Sequence, residues 1–176
     1  MILDELAIKY DTDKGSPGHF YTPHYERIFE PIRLNVESVL EVGVGSGASL
    51  RMWRDYFPGA MIYGVDMNHN NDMGTRIQCY ECEQTDCDRL RSQFLDKKLE
   101  IIIEDASHEQ NNTMKTLDCL WPILETRGWY VIEDMDLDSF PLRIVEWYGQ
   151  RQTEVRELHL LKNRSGGSLI TFIKKQ

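Results

Sequence analysis

Short apolar runs and amphipathic stretches alternate along most of this chain. Residues 36–42, 61–66, 76–81, 99–104 and 129–133 are brief and rich in β-branched or aromatic side chains, which predicts five strands. Ile101-Ile102-Ile103 is continuous enough to be covered on both faces, as in a parallel sheet. Between the runs, residues 48–57 repeat Leu50, Trp53 and Phe57 at helical spacing. Residues 86–94 open on acids that suit a helix N-terminus, and residues 109–124 read as a helix stopped by Arg127-Gly128. Residues 139–148 read as a further helix. Ahead of the first strand, residues 23–33 put Tyr25, Ile28, Phe29 and Ile32 on one face, whereas residues 1–18 are polar and 11–18 read as a loop. Two last strands, 154–162 and 168–174, flank Asn163-Arg164-Ser165-Gly166-Gly167, a hairpin turn.

Alternating β and α segments predict an α/β fold with a doubly wound, mostly parallel sheet of seven strands, its terminal hairpin antiparallel. A chain of 176 residues is most simply one domain, residues 1–176, with 1–35 an N-terminal loop and helix placed to act as a lid. Trp53, Trp121, Trp129 and Trp147 fall at core spacings. The formal net charge of −9 argues against a nucleic-acid partner. No apolar run approaches the roughly 18 residues of a membrane span, and Met1-Ile2-Leu3-Asp4-Glu5 has no signal-peptide pattern, so the expectation is a cytoplasmic protein. Reduced thiols are then expected for Cys79, Cys82, Cys87 and Cys119; no second C-x-x-C or nearby His completes a zinc set.

Ligands of such sheets sit beyond the carboxyl ends of the strands. Those ends are Glu41, Asp66, Asp105 and Glu133-Asp134, so the predicted active edge concentrates carboxylates. After Glu41 comes Gly43-Val44-Gly45-Ser46-Gly47-Ala48, a glycine turn opening a helix, where backbone can approach a nucleotide-like cofactor. Gly43-x-Gly45-x-x-Ala48 with Asp66 on the next strand fits a dinucleotide, and so an NAD(P)-dependent oxidoreductase; it equally fits S-adenosylmethionine (SAM). Asp105, Glu133 and Asp134 would repel one another unless a cation or proton lies between them, and an all-oxygen set selects a hard cation such as Mg²⁺. His108, three residues past Asp105, is within reach to act as a base.

The stretch Glu41-Val42-Gly43-Val44-Gly45-Ser46-Gly47 resembles motif I of class I SAM-dependent methyltransferases. More specifically, Asp11-Thr12-Asp13-Lys14-Gly15, His19-Phe20-Tyr21-Thr22-Pro23-His24-Tyr25-Glu26, residues 39–53, Glu104-Asp105-Ala106-Ser107-His108 and Tyr130-Val131-Ile132-Glu133-Asp134 resemble the catalytic domain of mycinamicin-type, metal-dependent sugar O-methyltransferases. The resemblance implies a Rossmann-like methyltransferase fold with an antiparallel seventh strand. It implies SAM held by Glu41, Gly43, Gly45, Ser46 and Asp66, with Glu83 and Gln84 at the adenosine. It implies Mg²⁺ on Asp105, Glu133 and Asp134, and His108 as general base with Asp105 beside it. Tyr21, with His19 and His24, would either cover SAM or pack where the helix begins. Glu104-Asp105-Ala106 replaces the family's usual Asp-Asp-Gly, and Glu83 stands where that family has an aspartate. The implied reaction is methyl transfer to a hydroxyl of a sugar, glycan or sugar-bearing natural product. A catechol-like acceptor and a non-catalytic SAM-binding module stay open beside it. The N-terminal domain of the macrolide enzymes has no counterpart in these residues. Completion of the site by a second copy, in a homo-oligomer, is a further expectation.

Overall fold

The computed structural model describes residues 2–68 and 73–176. Seven strands form one sheet in the order β3-β2-β1-β4-β5-β7-β6. They are β1 (Ser38–Val42), β2 (Met61–Asp66), β3 (Ile77–Glu81), β4 (Leu99–Glu104), β5 (Leu124–Met135), β6 (Val155–Lys162) and β7 (Leu169–Lys175). All neighbours run parallel except β7, which is antiparallel to both β5 and β6. The predicted sheet and its closing hairpin are therefore present.

Among the described residues six α-helices cover the two faces: α1 (Ile2–Tyr10), α2 (Thr22–Phe29), α3 (Ala48–Tyr56), α4 (Cys87–Phe94), α5 (Gln110–Leu120) and α6 (Phe140–Gly149). Strand residues alternate between the faces, as the pleat requires. Leu40, Tyr63, Ile102, Tyr130 and Ile132 pack with Leu90 and Phe94 of α4, Leu117 and Leu120 of α5, and Ile144 and Trp147 of α6. On the other face Val39, Ile62, Ile101, Ile103 and Val131 meet Leu3 and Ala7 of α1, Tyr25 and Phe29 of α2, and Leu50 and Trp53 of α3. All four tryptophans are buried. Among the described residues no helix is long and apolar enough to cross a membrane.

Three expectations change. Ile2–Tyr10, read from sequence only as part of a polar stretch, form a helix: Leu3 and Ala7 dock it against α3, while Ile2 and Ile8 remain exposed. The helix after β4 stops at Leu120, a single 3-10 turn (Trp121–Ile123) follows, and β5 starts at Leu124. Arg127-Gly128 is thus not a helix stop but the irregular part of a strand, where register shifts against β4 and Arg127 takes φ +66°. Finally, Cys87 and Cys119 are joined in a disulfide between α4 and α5, contrary to the expectation of reduced thiols; Cys79 and Cys82 are free.

Candidate functional site

A cavity of about 810 Å³ opens beyond the carboxyl ends of β1, β2, β4 and β5. That volume suits a nucleoside-sized ligand with space beside it. One wall is the turn between β1 and α3. Its glycines lie at φ +97° (Gly43), +51° (Gly45) and +73° (Gly47), a region that other residues avoid. A Cβ on Gly43 would stand 2.0 Å from the carbonyl oxygen of Asp105, so this glycine lets β1 and the loop after β4 touch. A Cβ on Gly45 would meet no atom within 4 Å, so its backbone faces open cavity. The two conformations look alike and do different work.

Asp66 ends β2 at the cavity wall. Its Oδ2 accepts N–H bonds from Val44 (2.8 Å) and Gly45 (3.1 Å), and its Oδ1 accepts one from Asn68 (2.9 Å). Burial alone would raise its pKa; the backbone donors of Asn68, Val44, Gly45 and Met67 outweigh burial and hold the carboxyl below its usual range. Asp66 therefore braces the turn and presents a fixed negative charge to the cavity. Ser46 and Glu83 also line it. Gln84 lines it too, but its amide is committed to the frame. It donates to Glu104 (3.0 Å) and Thr116 (3.2 Å) and accepts from the backbone N–H of Ser107 (3.1 Å). Burial pushes Glu104 up to about 7, against the hydrogen bonds from Thr113 and Gln84.

The opposite wall carries the second half of the site. Asp105, His108 and Asp134 each turn one ligand atom inward, all within 4.8 Å of one another. Nε2 of His108 lies 3.9 Å from Oδ1 of Asp105. His108 and Asp134 both sit at φ +55°, a left-handed conformation costly for residues with a side chain. Such outliers persist where the surroundings impose them, and they gather at functional sites.

Two residues expected at the ligands stand behind this wall. Consecutive strand residues point to opposite faces, so while Asp134 faces the cavity, Glu133 faces the interior and is 1% exposed. Glu133 accepts from Nζ of Lys14 at 2.8 Å and from the hydroxyl of Tyr25. In this arrangement it supports the site without reaching the cavity. Tyr21 does not reach the cavity either. It is buried, and its hydroxyl donates to Oδ1 of Asp134 at 2.6 Å while contacting Oγ of Ser168 at 2.6 Å. Ser168 and Nδ1 of His19 also reach Oδ1 of Asp134, at 3.0 and 3.2 Å. Tyr21 and His19 thus orient a carboxylate instead of covering a cofactor. His24 contacts the carbonyl of Lys162. Glu41 is likewise fully buried beneath the glycine turn, bonded to Ser49 (2.6 Å), and does not line the cavity.

Lys14 is the residue that sequence reasoning passed over. Its ammonium is 1% exposed and lies 2.5 Å from Asp105 Oδ2, 2.8 Å from Glu133 Oε2 and 3.4 Å from Glu41 Oε1. Burial alone would favour the neutral amine; Asp105, Glu133 and Glu41 overcome it and keep the group charged. Burial also drives the carboxyls of Glu41 and Glu133 upward, with Lys14 opposing that rise. Lys14 pairs with Asp105 but not with Asp134, so these two cavity-lining carboxyl groups share one ammonium and the wall favours a cation at its cavity side. Carboxylate oxygens from Asp105 and Asp134, with an imidazole beside them, fit a hard divalent ion. The only sign of Lys14 in the sequence was its place within the segment 11–15.

No protein-family model matches this chain. Among curated proteins it is 37% identical over 147 residues to mycinamicin VI 2''-O-methyltransferase of Micromonospora griseorubida, covering 76% of this chain and 36% of that protein. It is 31% identical over 148 residues to L-olivosyl-oleandolide 3-O-methyltransferase of Streptomyces antibioticus, covering 79% of this chain and 38% of the relative. The chain thus spans little more than a third of the length of these relatives. Among solved structures it superimposes on the MycE methyltransferase of the mycinamycin biosynthetic pathway, in complex with Mg and SAH, with a TM-score of 0.88 and 28% identity. That match covers 99% of this chain and 55% of the other.

Proposed function

Because the chain belongs to the family of sugar O-methyltransferases that includes these macrolide-pathway enzymes, we propose that it transfers a methyl group from SAM to a sugar hydroxyl with the help of Mg²⁺. The observation that carries the reading is the convergence of Asp105, His108 and Asp134 on one wall of a cavity whose other wall is a glycine turn braced by Asp66. A dinucleotide fits the turn alone; it gives no reason for the carboxylate-imidazole wall opposite. The relatives and the strand order also favour SAM.

In this reading the backbone of Gly45 and Ser46 and the fixed charge of Asp66 hold the cofactor, with Glu83 at the cavity rim where an adenosine edge would lie. Asp105 and Asp134 would hold the metal. When bound, SAM would supply an electrophilic methyl and Mg²⁺ a Lewis acid beside the acceptor hydroxyl. His108 takes the proton of the acceptor hydroxyl on Nε2. The Asp105 carboxylate, 3.9 Å away, stabilises the imidazolium that results. Tyr21, Ser168 and His19 fix Asp134, and Lys14 fixes Asp105, so the donors need little rearrangement before reaction.

The test is methylation of a methyl rhamnoside panel by the protein with SAM and Mg²⁺, chosen because two relatives are named for rhamnosyl tetracenomycins. His108→Ala and Asp105→Ala should each abolish turnover, with binding of SAH retained in His108→Ala. Chelation with EDTA should stop the reaction and added Mg²⁺ restore it. Full activity in EDTA would remove the metal from the mechanism.

A further inference from the structure

Glu104 is the last residue of β4 and Asp105 follows it, so their side chains leave the strand on opposite faces. Asp105 meets Lys14. Glu104 is buried on the α5 side and forms no ion pair among the described residues. A buried carboxyl without a cation needs hydrogen-bond donors around it. Glu104 has the side-chain amide of Gln84 at 3.0 Å, the hydroxyl of Thr113 and the backbone N–H of Ala106.

Glu104 in turn decides which way the Gln84 amide faces. The amide nitrogen has two hydrogens, and its partners are Glu104 and Oγ1 of Thr116 at 3.2 Å. The Thr116 hydroxyl is turned to the carbonyls of Gln84 (3.1 Å) and Asn112 (2.9 Å), which leaves its lone pair for that nitrogen. Turning the amide over would set its oxygen against the Glu104 carboxyl and its NH₂ against the N–H of Ser107. Oε1 of Gln84 therefore faces Ser107 and accepts its backbone N–H at 3.1 Å. Both N–H bonds of the side chain are used inside the protein, so none is left to donate to a cofactor.

Ser107 begins the turn that carries His108. Its Oγ accepts the backbone N–H of Glu109 and the amide of Asn112, both at 3.3 Å. His108 thus sits between two tethered residues at φ +55°, a conformation that an unrestrained residue leaves. Strain of this kind persists only where neighbours impose it. The bond from Ser107 to Gln84 is the tether that reaches this turn from outside it and from outside α5.

We propose that Gln84 and Glu104 are positioning residues for His108: Glu104 aims the Gln84 amide, the amide holds Ser107, and Ser107 fixes the turn that directs the imidazole at Asp105 and Asp134. The inference rests on the methyl-transfer reading for what His108 does once it is placed. It gives Gln84 a role other than contact with adenosine and gives buried Glu104 a role in the reaction.

The first readout is amide hydrogen exchange at Ser107 in the full chain with nothing bound. It compares the parent, Gln84→Met, Gln84→Glu and the reciprocal pair Gln84→Glu/Glu104→Gln. Gln84→Met removes the acceptor, so Ser107 should exchange about tenfold faster, the effect of one lost hydrogen bond. Gln84→Glu sets two carboxyl groups against each other and should loosen Ser107 likewise. The reciprocal pair exchanges donor and acceptor between the two positions, so protection should return. The second readout is kinetic, on methyl rhamnosides with SAM and Mg²⁺. Gln84→Met should lower kcat about tenfold or more while the KM for SAM and the affinity for SAH stay within about twofold, and the pair should recover kcat. A general loosening of the fold would weaken SAH and kcat together. Unchanged exchange at Ser107 in Gln84→Met, a loss of SAH affinity as large as the loss of kcat, or no recovery in the pair would each overturn the positioning role. A parent with the expected exchange pattern that transfers no methyl group would instead sink the methyl-transfer reading, so the two failures are told apart.

Discussion

Lys14 holds together groups that would otherwise push apart. Three carboxyl groups, from β1, β5 and the residue just past β4, meet its ammonium in the interior, and removing one partner of a buried charge cluster leaves the others uncompensated. Lys14→Met should therefore lower unfolding stability by about 3 kcal/mol or more, read from urea denaturation. Mg²⁺ should recover part of the loss, since a cation on Asp105 takes over some of the compensation. An unchanged urea midpoint would mean that the carboxyls take up protons in place of the ammonium. Individual residues were only partly legible in the sequence. Asp66, Asp105, His108 and Asp134 could be placed because strand ends converge by rule. That Glu133 and Tyr21 point away from the cavity could not be read, because it depends on the pleat of β5 at its last residues and on how α2 seats against them. Glu41 was placed at the cofactor for its position before the glycines, yet the strand buries it against Ser49 and Lys14.

The helices and strands were read well where apolar spacing is dense, and less well where few side chains carry the docking. α1 escaped because only Leu3 and Ala7 are buried in it, too few to mark a face. Its seating relies on polar contacts as well: Asp55 of α3 accepts from Lys9 Nζ (3.0 Å) and Tyr10 Oη (2.5 Å), and Arg54 Nη2 donates to that same hydroxyl (3.1 Å). Burial would raise the Asp55 pKa, but donors from Tyr10, Lys9 and Arg54 prevail and lower it from 3.8 to about 2. A depressed carboxyl stabilises the fold fully above its unfolded pKa and loses that contribution as pH falls through the folded one. The stability gap between the parent and Asp55→Asn should accordingly be constant above about pH 4 and close toward pH 2. Hydrogen exchange of the α1 amides reads it directly; a gap that persists at pH 2 would assign the effect to packing. A second device ties α4 to α5, whose contact carries Leu90, Phe94, Leu117 and Leu120. The disulfide between Cys87 and Cys119 closes a loop with a sequence separation of 32, for which chain entropy gives about 3–4 kcal/mol. Titration of the protein unfolded without reductant should find Cys79 and Cys82 alone, and reductant should add two thiols and lower the melting temperature of the native protein.

Across the whole molecule, the sheet brings two chemically different half-sites to one edge, and their coupling runs through β1. Its end carries the turn for the cofactor; one residue later, Gly43 touches the carbonyl of Asp105, and one residue earlier, Glu41 shares Lys14 with Asp105 and Glu133. The two walls are thus a single rigid support. Substitutions at two glycines of the same turn separate support from contact. Gly45→Ala adds a methyl only to open cavity, at a conformational cost of about 1–2 kcal/mol, so it should weaken SAH while leaving divalent-ion binding near the parental value. Gly43→Ala drives a Cβ into the backbone at Asp105 and must displace the loop that carries Asp105 and His108. It should weaken SAH and the ion together. Calorimetric titration with SAH, and with Mn²⁺ followed by electron paramagnetic resonance, distinguishes the cases. Equal losses of both ligands in Gly45→Ala, or retention of full Mn²⁺ affinity in Gly43→Ala, would show that the two halves are not joined through β1.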